Sequence, residues 1–266
     1  MDLFSEAFKH ADLPRLPARE SVVYGYFAQS LCGGVMNFQR AIGLADYYSR
    51  SKGKFYPWGF AMNGMTSRLE ATRQIIHALA IERIVETGTF RGTTAEWFAQ
   101  FGLPFETVEL AERYWTFSRA RLARFTNAKA YLQSSVPFLK ERITLGSVER
   151  DARQFFYLDS HWENHLPLRE ELELIFNHYT NAVVLIDDFK VEDDAGYGFD
   201  HYAPDKELTL AYVRNSDLPK LSCFYPTTRS KEETGARRGW VVLTSNPGMA
   251  EQLRTMSLLR EYPLET

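Results

Sequence analysis

Residues 84–98 read IVETGTFRGTTAEWF, and how this stretch is read decides the fold. Ile84 and Val85 close an apolar run of the kind a buried strand needs, whereas Thr93 to Phe98 have the character of the first turns of a helix. Glu86 to Gly92 must therefore turn the chain from one into the other. Gly88 and Gly92 allow a tight bend and let a ligand lie against the backbone.

Working outward, the same rhythm repeats. Leu69, Thr72, Ile76 and Leu79 fall on one helical face, and Ser67-Arg68-Leu69-Glu70 has the form of a capping box at its start. RIVET, FETVEL, AKAYLQ, RQFFYLD and AVVLIDDF are strand-like, and the segments between them are helical, with Pro167 suited to a first helical turn. LSCFYPT and GWVVLTS add two strand candidates around the polar loop TRSKEETGARRG. Strands alternating with helices imply an α/β fold, a parallel sheet covered on both faces whose ligands sit beyond the carboxyl ends of the strands. Residues 1–65, rich in aromatics and glycine without a sustained period, form an N-terminal extension suited to a lid, an acceptor wall or a dimer arm, which leaves a homo-oligomer open. Residues 66–266 form the main domain.

Composition narrows the ligand. The chain has 266 residues and a net charge of −3, so it has no global positive field with which to gather nucleic acid. Its two cysteines are too few for a disulfide framework, and no leader pattern opens the chain. AVVLI, at 182–186, is far short of a membrane span. The expectation is a cytoplasmic protein that binds a small molecule, with neither nucleic acid nor membrane as partner.

The turn after the first strand lacks the Gly-x-Gly-x-x-Gly needed to seat a pyrophosphate. Glu86 at its head would repel a pyrophosphate and attract the ammonium of an amino-acid moiety, which S-adenosylmethionine carries without any phosphate. Glu86, Gly88, Thr89, Phe90, Gly92 and Thr93 are the candidate cofactor-binding residues of this turn. Glu109 ends the second strand, where a carboxylate can accept both hydroxyls of a ribose. Ser134 and Ser135 are placed either for an adenine edge or as a plain helix cap.

Asp159 ends the fourth strand, and Asp187 with Asp188 ends the fifth. If those strands are neighbours, three carboxylates converge, and their repulsion calls for a cation such as Mg²⁺ or Mn²⁺ unless they cap helices or face water. Two residues on, His161 is either a base for an acceptor hydroxyl or a histidine packed on Trp162 or bonded to a carboxylate. Lys190, Tyr197, His201 and Tyr202 lie on the loop that would shape an acceptor pocket. Arg229, Lys231, Arg237 and Arg238 form a charge run that either faces water or meets an anionic acceptor.

In order along the chain, VETGTFRGTT, TVEL, YLDSHW and LIDD resemble the class I S-adenosylmethionine-dependent methyltransferases, over about residues 67–190. The aspartate placement resembles more narrowly the divalent-metal O-methyltransferases of the catechol and the macrolide and aminocoumarin sugar types. This resemblance implies a Rossmann-like, doubly wound, mostly parallel seven-stranded sheet with helices on both faces. It assigns Glu86, Gly88 and Gly92 to the methionine end, Glu109 to the ribose, Ser134 and Ser135 to the adenine, and Asp159, Asp187 and Asp188 to the metal. The catechol-type lysine base is missing, and where the sugar enzymes carry a carboxylate this chain has His161, which with Asp159 makes the candidate catalytic pair. The expected activity is methyl transfer to a hydroxyl of a small molecule or carbohydrate. A metal-dependent glycosyltransferase, or a non-catalytic binding protein of the same fold, is the alternative. Asp159-Ser160-His161-Trp162 does not match the Asp/Asn-Pro-Pro-aromatic stretch associated with methylation of base amino groups.

Overall fold

The computed structural model describes residues 37–50, 60–145, 150–162, 165–203, 205–214 and 217–263, so most of the expected extension lies outside the described residues. Strands β1 (Arg83–Thr87), β2 (Phe105–Glu109), β3 (Ala128–Leu132), β4 (Gln154–Leu158) and β5 (Ala182–Ile186) pair in parallel in the order β3-β2-β1-β4-β5. A short antiparallel pair, β6 (His201–Ala203) and β7 (Lys206–Glu207), stands apart. Strands β8 (Ser222–Pro226), β9 (Val241–Thr244) and β10 (Leu259–Tyr262) complete the sheet as β5-β9-β8-β10, each pairing antiparallel.

The sheet has eight strands where seven are expected. The addition is β10, an edge strand whose central Arg260 and Glu261 hide it from an apolar-run reading while protecting the edge from further pairing. By contrast, β4 and β5 are buried along their whole length, so they read as uninterrupted apolar runs.

The helices are α1 (Phe38–Arg50), α2 (Thr66–Ala78), α3 (Thr93–Ala99), α4 (Glu112–Leu122), α5 (Ser135–Thr144), α6 (Leu168–His178), α7 (Leu210–Arg214) and α8 (Pro247–Arg254). Helix α1 lies so close on α4 that a Cβ at Gly43 would stand 2.4 Å from the Arg113 carbonyl oxygen, and Arg113 pairs with Asp46 across the contact. The capping box expected at Ser67 does not form. Helix α2 starts at Thr66, and its first amides donate to partners far along the chain: Thr66 N to Thr234 Oγ1 at 2.8 Å and Ser67 N to Glu233 Oε1 at 3.3 Å. Glu70 instead bonds Arg73 and Gln74 on its own helix. The polar loop between β8 and β9 thus reaches across the strand tips and fixes the start of α2. Among the described residues, no helix is long and apolar enough to cross a membrane.

Candidate active site

Parallel pairing places the ends of β1, β2, β4 and β5 along one rim. Gly88, with φ of +84°, sits where a Cβ would fall 2.0 Å from the Asp159 carbonyl oxygen, so only glycine lets the turn after β1 lie against the tip of β4. Gly92, also left-handed at φ +70°, caps α3 directly ahead of Thr93.

Glu86 is buried and accepts from Thr107 Oγ1 at 2.6 Å, while Thr107 and Thr89 share a second hydroxyl contact. Burial pushes the Glu86 carboxyl up to about 8; the Thr107 hydrogen bond works against that rise and the nearby Glu109 adds to it. Glu109, expected at a ribose, accepts from the amides of Phe90 at 2.7 Å and Ala111 at 2.8 Å, so it also braces the turn after β1. Burial also raises the Glu109 carboxyl above its ordinary range, although these amides oppose the shift. Phe90, in ring contact with Tyr114 at 4.5 Å, and Leu110 expose apolar surface beside this carboxylate.

The two serines behave differently from one another. Ser134 occupies the N-cap of α5 without making a side-chain cap bond. Ser135 is buried against Ser160, at 3.3 Å, whose hydroxyl also donates to the buried Glu171 at 2.7 Å. That network ties the tip of β4 to α5 and α6, and it draws the Ser135 hydroxyl inward.

At the tips of β4 and β5 the three aspartates are neighbours, but they do not act alike. Asp187, expected as a metal ligand, is taken by the protein itself. Arg68 Nη1 and the Tyr157 hydroxyl both donate to it closely, Asn63 Nδ2 lies at 3.3 Å, and the Asp188 amide donates to Oδ1 at 2.7 Å. Arg68 is fully buried. Burial acts to lower the pKa of its guanidinium, yet Asp187 beside it outweighs burial and raises the group above its ordinary value.

His161 stands in the place expected of Asp187. One ligand atom each from Asp159, His161 and Asp188 lies within 4.8 Å of the others. The imidazole is buried, and its Nε2 has no hydrogen-bond partner. Asp159 Oδ1, Asp188 Oδ2 and Asp200 Oδ2 each lie 3.7 Å from that nitrogen, beyond hydrogen-bond reach. Burial would lower the imidazole pKa, but Asp188, Asp200 and Asp187 outweigh it and raise the group above its ordinary value. Burial and the charges of Asp187 and Asp188 hold the Asp159 carboxyl well above the usual range. Burial acts upward on Asp188 too, yet His161 and Arg238 bring it down to about 2.

Asp200 and Arg238 complete the group. Arg238 Nε donates to Asp188 Oδ1 at 2.6 Å, and its Nη2 bonds Asp200 Oδ1. Sequence reasoning read Asp200 only as part of an acceptor loop and Arg238 only as part of a charge run. The rest of that run is engaged elsewhere: Arg229 pairs with Asp193, Lys231 approaches Glu232, and Arg237 donates to the Glu233 carbonyl. Of the four loop residues expected at an acceptor pocket, Tyr202 lies beside His161, with ring centroids 6.4 Å apart. Lys190 pairs with Glu192, Tyr197 is buried with its hydroxyl on the Thr228 carbonyl, and His201 is exposed. Trp162 is 74% exposed, whereas His161 is buried.

A divalent cation fits these residues. Ligands held at roughly 2.1 Å around one ion stand about 3 to 4 Å apart; the orphaned imidazole nitrogen lies 3.7 Å from an oxygen of Asp159 and of Asp188, and the ligand atoms of these three residues lie within 4.8 Å of one another.

The fold is that of the class I S-adenosylmethionine-dependent methyltransferases. Two solved structures share the architecture. The O-methyltransferase TomG of Streptomyces achromogenes, involved in tomaymycin synthesis and crystallised with S-adenosylmethionine, is 16% identical, with 87% of this chain and 100% of that chain covered and a TM-score of 0.50. A candidate O-methyltransferase from Klebsiella pneumoniae is 17% identical, with 85% and 96% covered and a TM-score of 0.51. No protein-family model and no curated protein matches the sequence.

Proposed function

We propose that this protein transfers a methyl group from S-adenosylmethionine to a hydroxyl of a small molecule or sugar, with a divalent cation held by Asp159, His161 and Asp188. The observation that carries this reading is the orphaned His161 Nε2 among carboxylate oxygens, directly beside the glycine turn that leans on Asp159. Methyl transfer from a sulfonium needs chiefly the alignment of acceptor oxygen, methyl carbon and sulfur. When bound, the cation supplies a fixed acceptor oxygen and a lowered hydroxyl pKa. Glu86 receives the cofactor's ammonium, Glu109 its ribose, and the exposed faces of Phe90 and Leu110 lie beside the base. With Nε2 turned toward the carboxylates, His161 would act as a ligand in place of the free base expected for it; the O–CH3 bond would form as the S–CH3 bond breaks, S-adenosylhomocysteine would leave, and the hydroxyl proton would pass to solvent.

Substitution separates these two roles. His161→Ala is expected to abolish transfer and to weaken cation binding by about 10- to 100-fold or more, while S-adenosylmethionine affinity stays nearly unchanged. Calorimetry with each ligand reads both quantities. Retained cation affinity alongside lost transfer would return His161 to the role of base.

Glu86 makes a second prediction. Burial pushes its carboxyl up to about 8, and a neighbouring ammonium favours the ionised form. Below that pH the cofactor must displace a proton from Glu86, so affinity rises as pH climbs from about 6 to about 8, by up to about tenfold per unit, and levels off above. Glu86→Gln flattens the profile and weakens binding. A wild-type affinity that does not change with pH would place the ammonium elsewhere.

A further inference from the structure

Asp159-Ser160-His161 carries two of the proposed cation ligands on three consecutive residues, and the backbone does little to hold it. The Asp159 amide donates to the Thr87 carbonyl at 2.9 Å, and the Trp162 amide donates to the His165 carbonyl at 2.9 Å. Between those points, among the described residues, neither Ser160 nor His161 makes a backbone–backbone hydrogen bond. Nor are the ligand atoms themselves held: His161 Nε2 is unpartnered, and the nearest Asp159 oxygen is 3.7 Å from it. The spacing of the two ligands therefore falls to the residue between them.

Ser160 supplies the anchor. Its hydroxyl donates to Glu171 Oε1 at 2.7 Å and lies 3.3 Å from the Ser135 hydroxyl. Glu171 stands in the first turn of α6 and is 1% exposed. Burying a carboxylate is costly unless donors and charge compensate it. Here the compensation comes from the positive end of the α6 dipole and from hydroxyls, with Ser160 and Ser135 both holding the carboxyl down against the upward push of burial. One buried carboxylate thus pins the segment after β4 to the starts of α5 and α6.

We infer that Glu171 is a positioning residue of the transfer reaction, which through the Ser160 hydroxyl holds Asp159 and His161 at the spacing the cation requires. The inference rests on the cation reading given under Proposed function. Residues that orient metal ligands from behind commonly matter to affinity nearly as much as the ligands do.

Mn²⁺ titration of the full chain, followed by loss of the free ion's electron-paramagnetic-resonance signal, tests this in a double-mutant cycle. Glu171→Ala is expected to weaken Mn²⁺ by about 10- to 100-fold, and Ser160→Ala by about tenfold. Because both act through one hydrogen bond, the double variant is expected to bind within about twofold of Glu171→Ala alone. Glu171→Gln keeps an acceptor oxygen for Ser160 and is expected to stay within about fivefold of the wild type. Glu170→Ala, exposed in the same helical turn, serves as the control with wild-type affinity, and melting temperatures show which variants are folded. Ser160→Ala and Glu171→Gln carry the test should Glu171→Ala fail to fold. Losses that multiply in the double variant, a Glu171→Gln as weak as the alanine variant, or wild-type affinity in Ser160→Ala would each overturn the positioning role and leave the cation reading standing. A folded wild type that binds S-adenosylmethionine but no divalent cation overturns the cation reading, and this inference with it.

Discussion

Arg68→Ala is expected to cost about 3–5 kcal/mol of folding stability. The guanidinium is fully buried, bonds Asp187 through Nη1 and donates through Nη2 to the Met62 carbonyl at 2.7 Å. Truncation leaves Asp187 as a buried carboxylate without a countercharge, and it opens the contact between α2 and the turn at Ala61–Gly64. Arg73→Ala on the same helix provides the scale. That exposed pair with Glu70 should be worth no more than about 0.5 kcal/mol. Urea unfolding of both variants measures the difference. A loss below about 1 kcal/mol for Arg68→Ala would mean that Asp187 does not depend on Arg68 for its charge.

Asp159→Asn is expected to reduce methyl transfer by about 10³-fold, a loss of about 4 kcal/mol in transition-state stabilisation, while leaving the protein more stable. The two effects have one origin. Asp159 makes no side-chain hydrogen bond among the described residues, and its nearest cationic group is His161 at 3.7 Å. Its carboxyl is held well above the ordinary range by burial and by Asp187 and Asp188, so ionising it costs folding stability, a cost that solvent lessens because the side chain is 35% exposed. A carboxyl raised in this way favours the folded state below its unfolded pKa, and that contribution is lost as pH rises toward the folded value. Asparagine removes the penalty and with it one of the proposed ligands. Thermal unfolding without added metal, alongside single-turnover transfer, reads both consequences. A variant that is less stable and fully active would contradict the assigned role.

Much of the fold was legible because each central strand announces itself in local sequence. RIVET matches β1 to the residue, and QFFYL and AVVLI stand out because strands buried on both faces have no polar alternation to blur them. The convergence of Asp159 with Asp187 and Asp188 follows from the same reading, since parallel neighbours end on the same rim. What stayed hidden depends on side chains meeting from distant segments. Ser67 and Glu70 satisfy the spacing of a capping box, but Glu233 and Thr234 reach the helix start first, across more than half the chain. Nothing local distinguishes Asp187 from Asp188. They separate because Arg68, read as a member of that capping box, turns inward to Asp187, while Asp188, at φ +52°, turns its carboxylate toward His161 and Arg238. Asp200 carries no periodic or spacing signal, and it enters the site only because its loop is laced to the tip of β5 by the Asp188 carbonyl. Strand β10 was missed because two charges in four residues conceal its pairing with β8.

The central claim is that a sulfonium cofactor and a cation work side by side at one rim of the sheet. It is tested most directly by following the labelled methyl group of S-adenosylmethionine into a pool of hydroxyl-bearing metabolites, using metal-stripped protein with and without added Mn²⁺. Label entering a hydroxyl only when the ion is restored is the predicted result. Label that enters equally well from stripped protein, or never enters although both ligands bind, would contradict the account.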